Sequence, residues 1–297
     1  MEHNTLIKKG VVVSIILLFV SVSVIPSTGT NIVEKTSFPS LNFNGFIQDL
    51  IDNASNGDTI YIPSGTYYEN IIINKSISLI GEDKDTTIID GNYSNSVVQI
   101  TTNGVALNGF TIQNSGSGVS VYNYSGIKVL GDNNIISDNI IKSNYVGISL
   151  LETDYNNITD NVITSNKWGI IVFICKNIII YKNLVSNNDD VGILTELPTL
   201  PRSSSYIKII ENDIINNHRG VETTSQYTTI IRNNFRNNSI SALFYFWGFF
   251  NKWDRNYWNR PRLLPKPIFG SRGVIFTIPW IQFDWHPAQE PYDIGVG

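Results

Sequence analysis

The feature that most constrains this chain is a phrase that returns about every 22 residues. "NIISDNIIKSNYVGI" (Asn134 to Ile148) is followed by "NITDNVITSNKWGI" (Asn157 to Ile170), "NIIIYKNLVSNNDDVGI" (Asn177 to Ile193), "IIENDIINNHRGV" (Ile209 to Val221) and "TIIRNNFRNN" (Thr229 to Asn238). Aligned on Asn139, Asn161, Asn183, Asp213 and Asn234, the intervals are 22, 22, 30 and 21, the longest holding an insertion, "TELPTLPRSSS" at Thr195 to Ser205. β-Branched Ile and Val dominate, and Asn and Gly recur inside every phrase, so helices are excluded on residue type and short strands remain. Such a repeat cannot bury its apolar side alone, whereas coils wound one above another share a continuous core. A leucine-rich repeat has a similar period, but Leu is sparse at the repeating positions.

The predicted fold is therefore all-β: a right-handed parallel β-helix solenoid with an N-terminal capping helix and an aromatic-rich C-terminal cap. At the corners, Asn tolerates the left-handed conformation, and inward-turned Asn side chains stacked about 4.8 Å apart can bond one another. Asn139, Asn161, Asn183 and Asn234 are accordingly read as structural. Open solenoid ends need covers. Phe46, Ile47, Leu50 and Ile51 at helical spacing predict a capping helix over Asn44 to Ser55, stopped by Asn56-Gly57-Asp58 and followed by a strand from Thr59 to Ile62.

Four segments follow: 1–29 a signal peptide or anchor, 30–43 a linker, 44–247 the β-helix with its capping helix, and 248–297 an aromatic cap. Lys8 and Lys9 precede a 15-residue apolar run from Val11 to Ile25, the order of an export segment and short of the roughly 20 residues of a comfortable span. Cleavage and retention as a membrane anchor both stay open, and either places the chain outside the cytoplasm, secreted or at the cell surface. The single Cys175 excludes an intramolecular disulfide. A net charge of -4 without a basic stripe argues against nucleic acid.

"DTIYIPSGTYYENIIINKSISLIGEDKDTTIIDG" resembles the opening coils of exported right-handed β-helix proteins of the carbohydrate-binding and sugar-hydrolase repeat group that includes the periplasmic NosD protein. "WDRNYW" (Trp253 to Trp258) is similar to the phrase that closes the array in many of them, often from archaea. The resemblance implies the fold firmly and leaves function open, since the group spans enzymes, adhesins and surface proteins. It also suggests copper, but beyond the export segment the chain has no Met, one Cys, and His218 and His286 far apart. Both histidines are read as surface or packing residues.

Paired carboxylates would serve polysaccharide hydrolysis. The interval of 22 sets Asp138 above Asp160 as low-specificity catalytic candidates, and Asp132 above Asp154 as weak calcium candidates; no other cofactor is expected. Lys182 at the next step favours a solvated corner instead. From Phe244 onward the chain carries five of the six Trp and no Asn ladder. Trp253, Trp258, Trp280 and Trp285 either cover the last coil or stand exposed as platforms for sugar rings, with at least three expected to cover. The leading functional expectation is a glycan-binding or structural scaffold without catalysis, whose partner is a polysaccharide or cell-surface glycan. A polysaccharide hydrolase or lyase is the alternative, preferred if a charged cluster lines a groove beside the Thr195 to Ser205 insertion. An accessory to a membrane metal system is the third.

Overall fold

A computed structural model describes residues 45–118, 124–195, 204–245, 250–272 and 278–295, all within the compact unit Asn31–Gly297. The export segment, the linker and the body of the insertion lie outside the described residues. The chain is a right-handed parallel β-helix whose coils each contribute three short strands, as in Ile135–Ser137, Ile140–Lys142 and Val146–Leu151. One face is a 9-stranded sheet from Gly65–Tyr68 to Tyr257–Trp258, and the remaining strands form a 19-stranded sheet around the corner. Among the described residues no helix is long and apolar enough to cross a membrane.

The core follows from alternation. The middle residue of each three-residue strand points inward, so Ile136, Ile158, Ile180, Ile209 and Ile230 stack in register, as do Ile141, Ile163, Val185, Ile214 and Phe235. All are fully buried, and strands closed on both sides by such stacks keep every core side chain in contact with its copies above and below. Cys175 lies sealed in this core.

The asparagine ladder exists, but its register corrects the sequence alignment. Asn139, Asn161, Asn183, Asn212, Asn233 and Asn256 stand on successive coils at intervals of 22, 22, 29, 21 and 23. Asp213 and Asn234 are one residue late: Asp213 pairs with Leu184 and with Asn234, outside the ladder. The insertion hid the slip, because an interval of 29 and one of 30 look alike when two polar residues stand side by side. The ladder also runs into the last fifty residues, where none was expected.

Of the two reasons expected for asparagine, bonding between stacked side chains holds and tolerance of the left-handed corner does not. The left-handed corner residue is the one before each rung: Asp138, Asp160, Lys182, Glu211, Arg232 and Arg255 have φ of 52, 55, 53, 53, 58 and 55°. Asparagine is required for its amide. Asn161 Oδ1 accepts from the Asn139 backbone N–H and Nδ2, both at 3.1 Å, while Asn161 Nδ2 donates to the carbonyls of Ile136 and Thr159, both at 2.8 Å. A second ladder, Asn144, Asn166, Asn188, Asn217 and Asn238, does the same at the next corner. Buried corner polar groups are thus satisfied by one repeated side chain.

The capping helix spans Phe46–Asn53, with Ile47 and Ile51 buried against the first coil. Its first turn is held by Glu69, whose two carboxylate oxygens accept the N–H groups of Ile47 and Gln48 at 3.1 Å each. At the other end the strands Lys266–Arg272 and Ile278–Asp284 pair antiparallel. The first also meets Phe244 and the second Trp253, so the hairpin closes both open edges of the last coil.

Candidate functional site

The hairpin and the last coil together make a pocket of about 510 Å³. Its floor comes from Lys252, Trp253 and Asp254, and its wall from Gln282, Phe283, Trp285 and His286. Trp253 is 3% exposed and anchors the floor by donating Nε1 to Gln282 Oε1 at 2.7 Å. Asp254 Oδ1 lies 2.9 Å from His286 Nδ1. Lys252 and Arg255 approach the other Asp254 oxygen at 3.8 and 3.9 Å. Above this polar group stand two exposed rings, Phe283 at 38% and Trp285 at 63%, tilted 36° with centroids 5.0 Å apart. Flat apolar faces beside a carboxylate, an imidazole, an amide and an ammonium suit a ligand with apolar ring faces and hydroxyl edges.

The tryptophans divide. Trp253 and Trp285 share the pocket, while Trp258 is 1% exposed, stacks on Phe235 at 4.4 Å and donates to Asp284. Trp280 stands 46% exposed under the Arg272 guanidinium. Two of the four therefore cover the core where at least three were expected, because the hairpin's backbone closes the end and frees rings on its margin.

Asp138 and Asp160 occupy adjacent left-handed corners, with Asp138 paired to Lys84 at 2.8 Å. Their row continues through Lys182, Glu211, Arg232 and Arg255, and Arg232 meets Glu211 at 3.2 Å, the pattern of a solvated corner with mixed charge. Asp132 and Asp154 are corner fasteners. Asp132 Oδ1 accepts the Asp154 N–H at 2.8 Å, and Asp154 Oδ1 accepts the Lys176 N–H at 2.6 Å. His218 is exposed on the corner before Arg219.

Sequence reasoning passed over Asp254 and the pairing role of His286; the run "FDWHP", alternating rings with polar groups, was the available signal. It also missed a charged cluster on an outer sheet face. Arg219 bridges Asp190 and, at 2.5 Å, Glu222. Glu222 pairs with Leu194, one residue before the insertion. Burial pushes the Glu222 carboxyl above its ordinary range, against the pull of Arg219. The exposed rings of Tyr206, Tyr227 and Phe250 stack at 5.2 and 5.1 Å, so their faces cover one another and they hold a corner.

Metal chemistry finds little to work with. Among the described residues no three His, Cys, Asp or Glu side chains gather at one point. Cys175 is buried with its thiol directed at the carbonyls of Leu150 and Phe173. This donor set does not fit copper.

No curated protein matches the chain by sequence. Among solved structures, the tailspike protein gp49 from Acinetobacter baumannii bacteriophage Fri1, a capsular polysaccharide depolymerase, matches at 11% identity and a TM-score of 0.57. The match covers 73% of this chain and 46% of the tailspike, so the chain spans about half of that protein's length. The periplasmic alginate epimerase AlgG matches at 15% identity and a TM-score of 0.44, over 73% of this chain and 59% of the epimerase. Pectin methylesterase PemA from Erwinia chrysanthemi matches at 12% and 0.42, over 70% and 81%. The tailspike likeness carries the fold alone. A family model described as "Periplasmic copper-binding protein (NosD)" matches residues 51–266, the whole run from the capping helix into the closing hairpin, and the chain belongs to that NosD family.

Proposed function

We propose that this chain is an extracytoplasmic, surface-associated scaffold that binds glycan in the pocket between Trp253, Asp254, Phe283, Trp285 and His286, without catalysing a reaction there. The observation that carries the reading is the pairing of two exposed ring faces with a close Asp254–His286 contact in one pocket. Sugars are held by stacking on such rings and by hydrogen bonds to fixed polar groups. The family's description as periplasmic supports the location, and the tailspike's activity as a capsular polysaccharide depolymerase supports the ligand class. The test is retention of the protein on a panel of polysaccharides, with reducing ends and unsaturated products assayed in parallel. Retention that Trp285→Ala abolishes, without released products, is the expected result. Retention indifferent to both Trp285→Ala and Phe283→Ala would remove the pocket from the account.

A hydrolase or lyase is favoured by one observation, the Asp190–Arg219–Glu222 cluster beside the insertion. A buried carboxyl with a raised pKa next to a second carboxylate is the pattern of an acid and base pair. Released products lost on Glu222→Gln, in a variant with wild-type circular dichroism, would make this the better reading. An accessory role in a membrane metal system rests on the family description, and no step of it passes through copper held by the described residues.

A further inference from the structure

The closing end of the solenoid is unlike the rest of the surface. Eight of the nineteen large apolar side chains exposed among the described residues lie between Leu263 and Trp285. Leu263 is 95% exposed and Leu264 77%, at the tip of "RPRLLPK". Pro261 and Pro265 flank them, and their fixed φ restrains the loop that holds the leucines out. On the hairpin, Ile268 is buried and Gly270 touches Phe244, so that face looks inward. By alternation Phe269 and its partner Ile281, 57% and 44% exposed, look outward. Water gains nothing from such a surface, and contiguous apolar patches on a folded protein mark a docking face.

The charge of this region selects the partner. From Arg255 to Phe283 the sequence holds Arg255, Arg260, Arg262, Lys266 and Arg272 and no Asp or Glu, in a chain whose net charge is -4. Arg260 and Arg262 form no ion pair with a carboxylate among the described residues. Burial and the nearby Arg260 hold the Arg262 guanidinium below its ordinary pKa; burial, Arg262 and Arg260 do the same to Lys266. Arg260, Arg262 and Lys266, crowded on one loop with no carboxylate between them, call for an anionic surface. A second copy docked by its own end would set the same cations face to face, which like-charge repulsion opposes.

We propose that this end docks on an anionic lipid bilayer, with Leu263, Leu264, Phe269 and Ile281 entering the headgroup and acyl boundary and Arg260 and Arg262 lying against lipid phosphates. Apolar side chains supply area, and each cation adds to attraction by anionic headgroups, the two-signal arrangement of peripheral membrane proteins. Ile281 also lines the pocket, so the two surfaces adjoin; the docking test uses no glycan, and the residues it alters are not pocket-lining.

The test uses the full chain with vesicles of phosphatidylcholine, alone or with phosphatidylglycerol, whose acyl chains are brominated. Residues 1–44 contain no Trp and five of the six lie at 247 or beyond, so quenching reports on this end and not on the export segment. Expected are quenching that needs phosphatidylglycerol, its loss in Leu263→Glu with Leu264→Glu, and a partition coefficient about tenfold or more lower in Arg260→Glu with Arg262→Glu. The leucines are exposed and Arg262 is half-buried on the same loop, so each pair is read only with wild-type circular dichroism, one standing in if the other misfolds. Wild-type-like quenching in both variants overturns the proposal. So does an unquenched wild type, including one that sediments as a dimer that the leucine pair dissociates.

Discussion

At Asn161 one side chain serves five polar groups, accepting from two and donating to three. Leucine of similar size leaves the Asn139 N–H without its Asn161 acceptor and removes the amide donor to the Ile136 carbonyl, while the Thr159 carbonyl keeps the Asp138 N–H at 3.3 Å. Asn161→Leu should cost at least about 2 kcal/mol, given about 1–3 kcal/mol for each stranded buried group. Its neighbour gives the contrast: Asp160→Asn keeps a residue that tolerates positive φ at an exposed corner and should move stability by less than about 0.5 kcal/mol. Urea midpoints of the two variants check both values, and equal midpoints would sink the ladder argument. Trp258→Ala should cost about 3–5 kcal/mol, since the ring is buried on Phe235. Trp285→Ala should leave thermal stability nearly unchanged while removing glycan retention.

The N-terminal helix depends on a carboxylate from the first coil. Burial raises the Glu69 pKa above its ordinary 4.5, outweighing the helix N–H groups that lower it. A group raised in the folded state contributes stability fully below its unfolded pKa and loses it as pH rises through the folded value. Glu69→Gln should therefore gain on the wild type as pH rises above about 4.5; urea midpoints across the carboxylate range decide it, and a widening loss instead would mean that the helix N–H groups dominate. The helix itself was legible, because Phe46, Ile47, Leu50 and Ile51 have helical spacing and the strand Thr59–Ile62 follows as read. Each coil was legible from alternating Ile and Asn. The register past Asn183 was not, since Asn212 and Asp213 are both polar and only tertiary pairing tells rung from neighbour. Nor was the pocket: Asp254 meets His286 only because a hairpin of no repeating pattern folds back over the last coil.

Over the whole molecule, each coil touches only its neighbours, so the ends decide whether the stack stays single. A chain stopped after Asn259 would bare the edges of Ile240–Phe244 and Lys252–Asp254, and static light scattering should report association at concentrations where the full chain is monodisperse. The final rung shows how the stack is also ended chemically. Asp284, fully buried, accepts the Asn256 N–H, Asn256 Nδ2 and Trp258 Nε1 on one oxygen and the N–H groups of Arg255 and His286 on the other. Every rung before it donates toward the C-terminal end, so the stacked amides form a head-to-tail row of dipoles whose positive pole faces that end. A carboxylate there neutralises the pole and, having no N–H of its own to pass on, cannot be followed by another rung. Asp284→Asn would turn a terminator back into a link, and the length of this solenoid is written in the difference between an oxygen and an amide nitrogen.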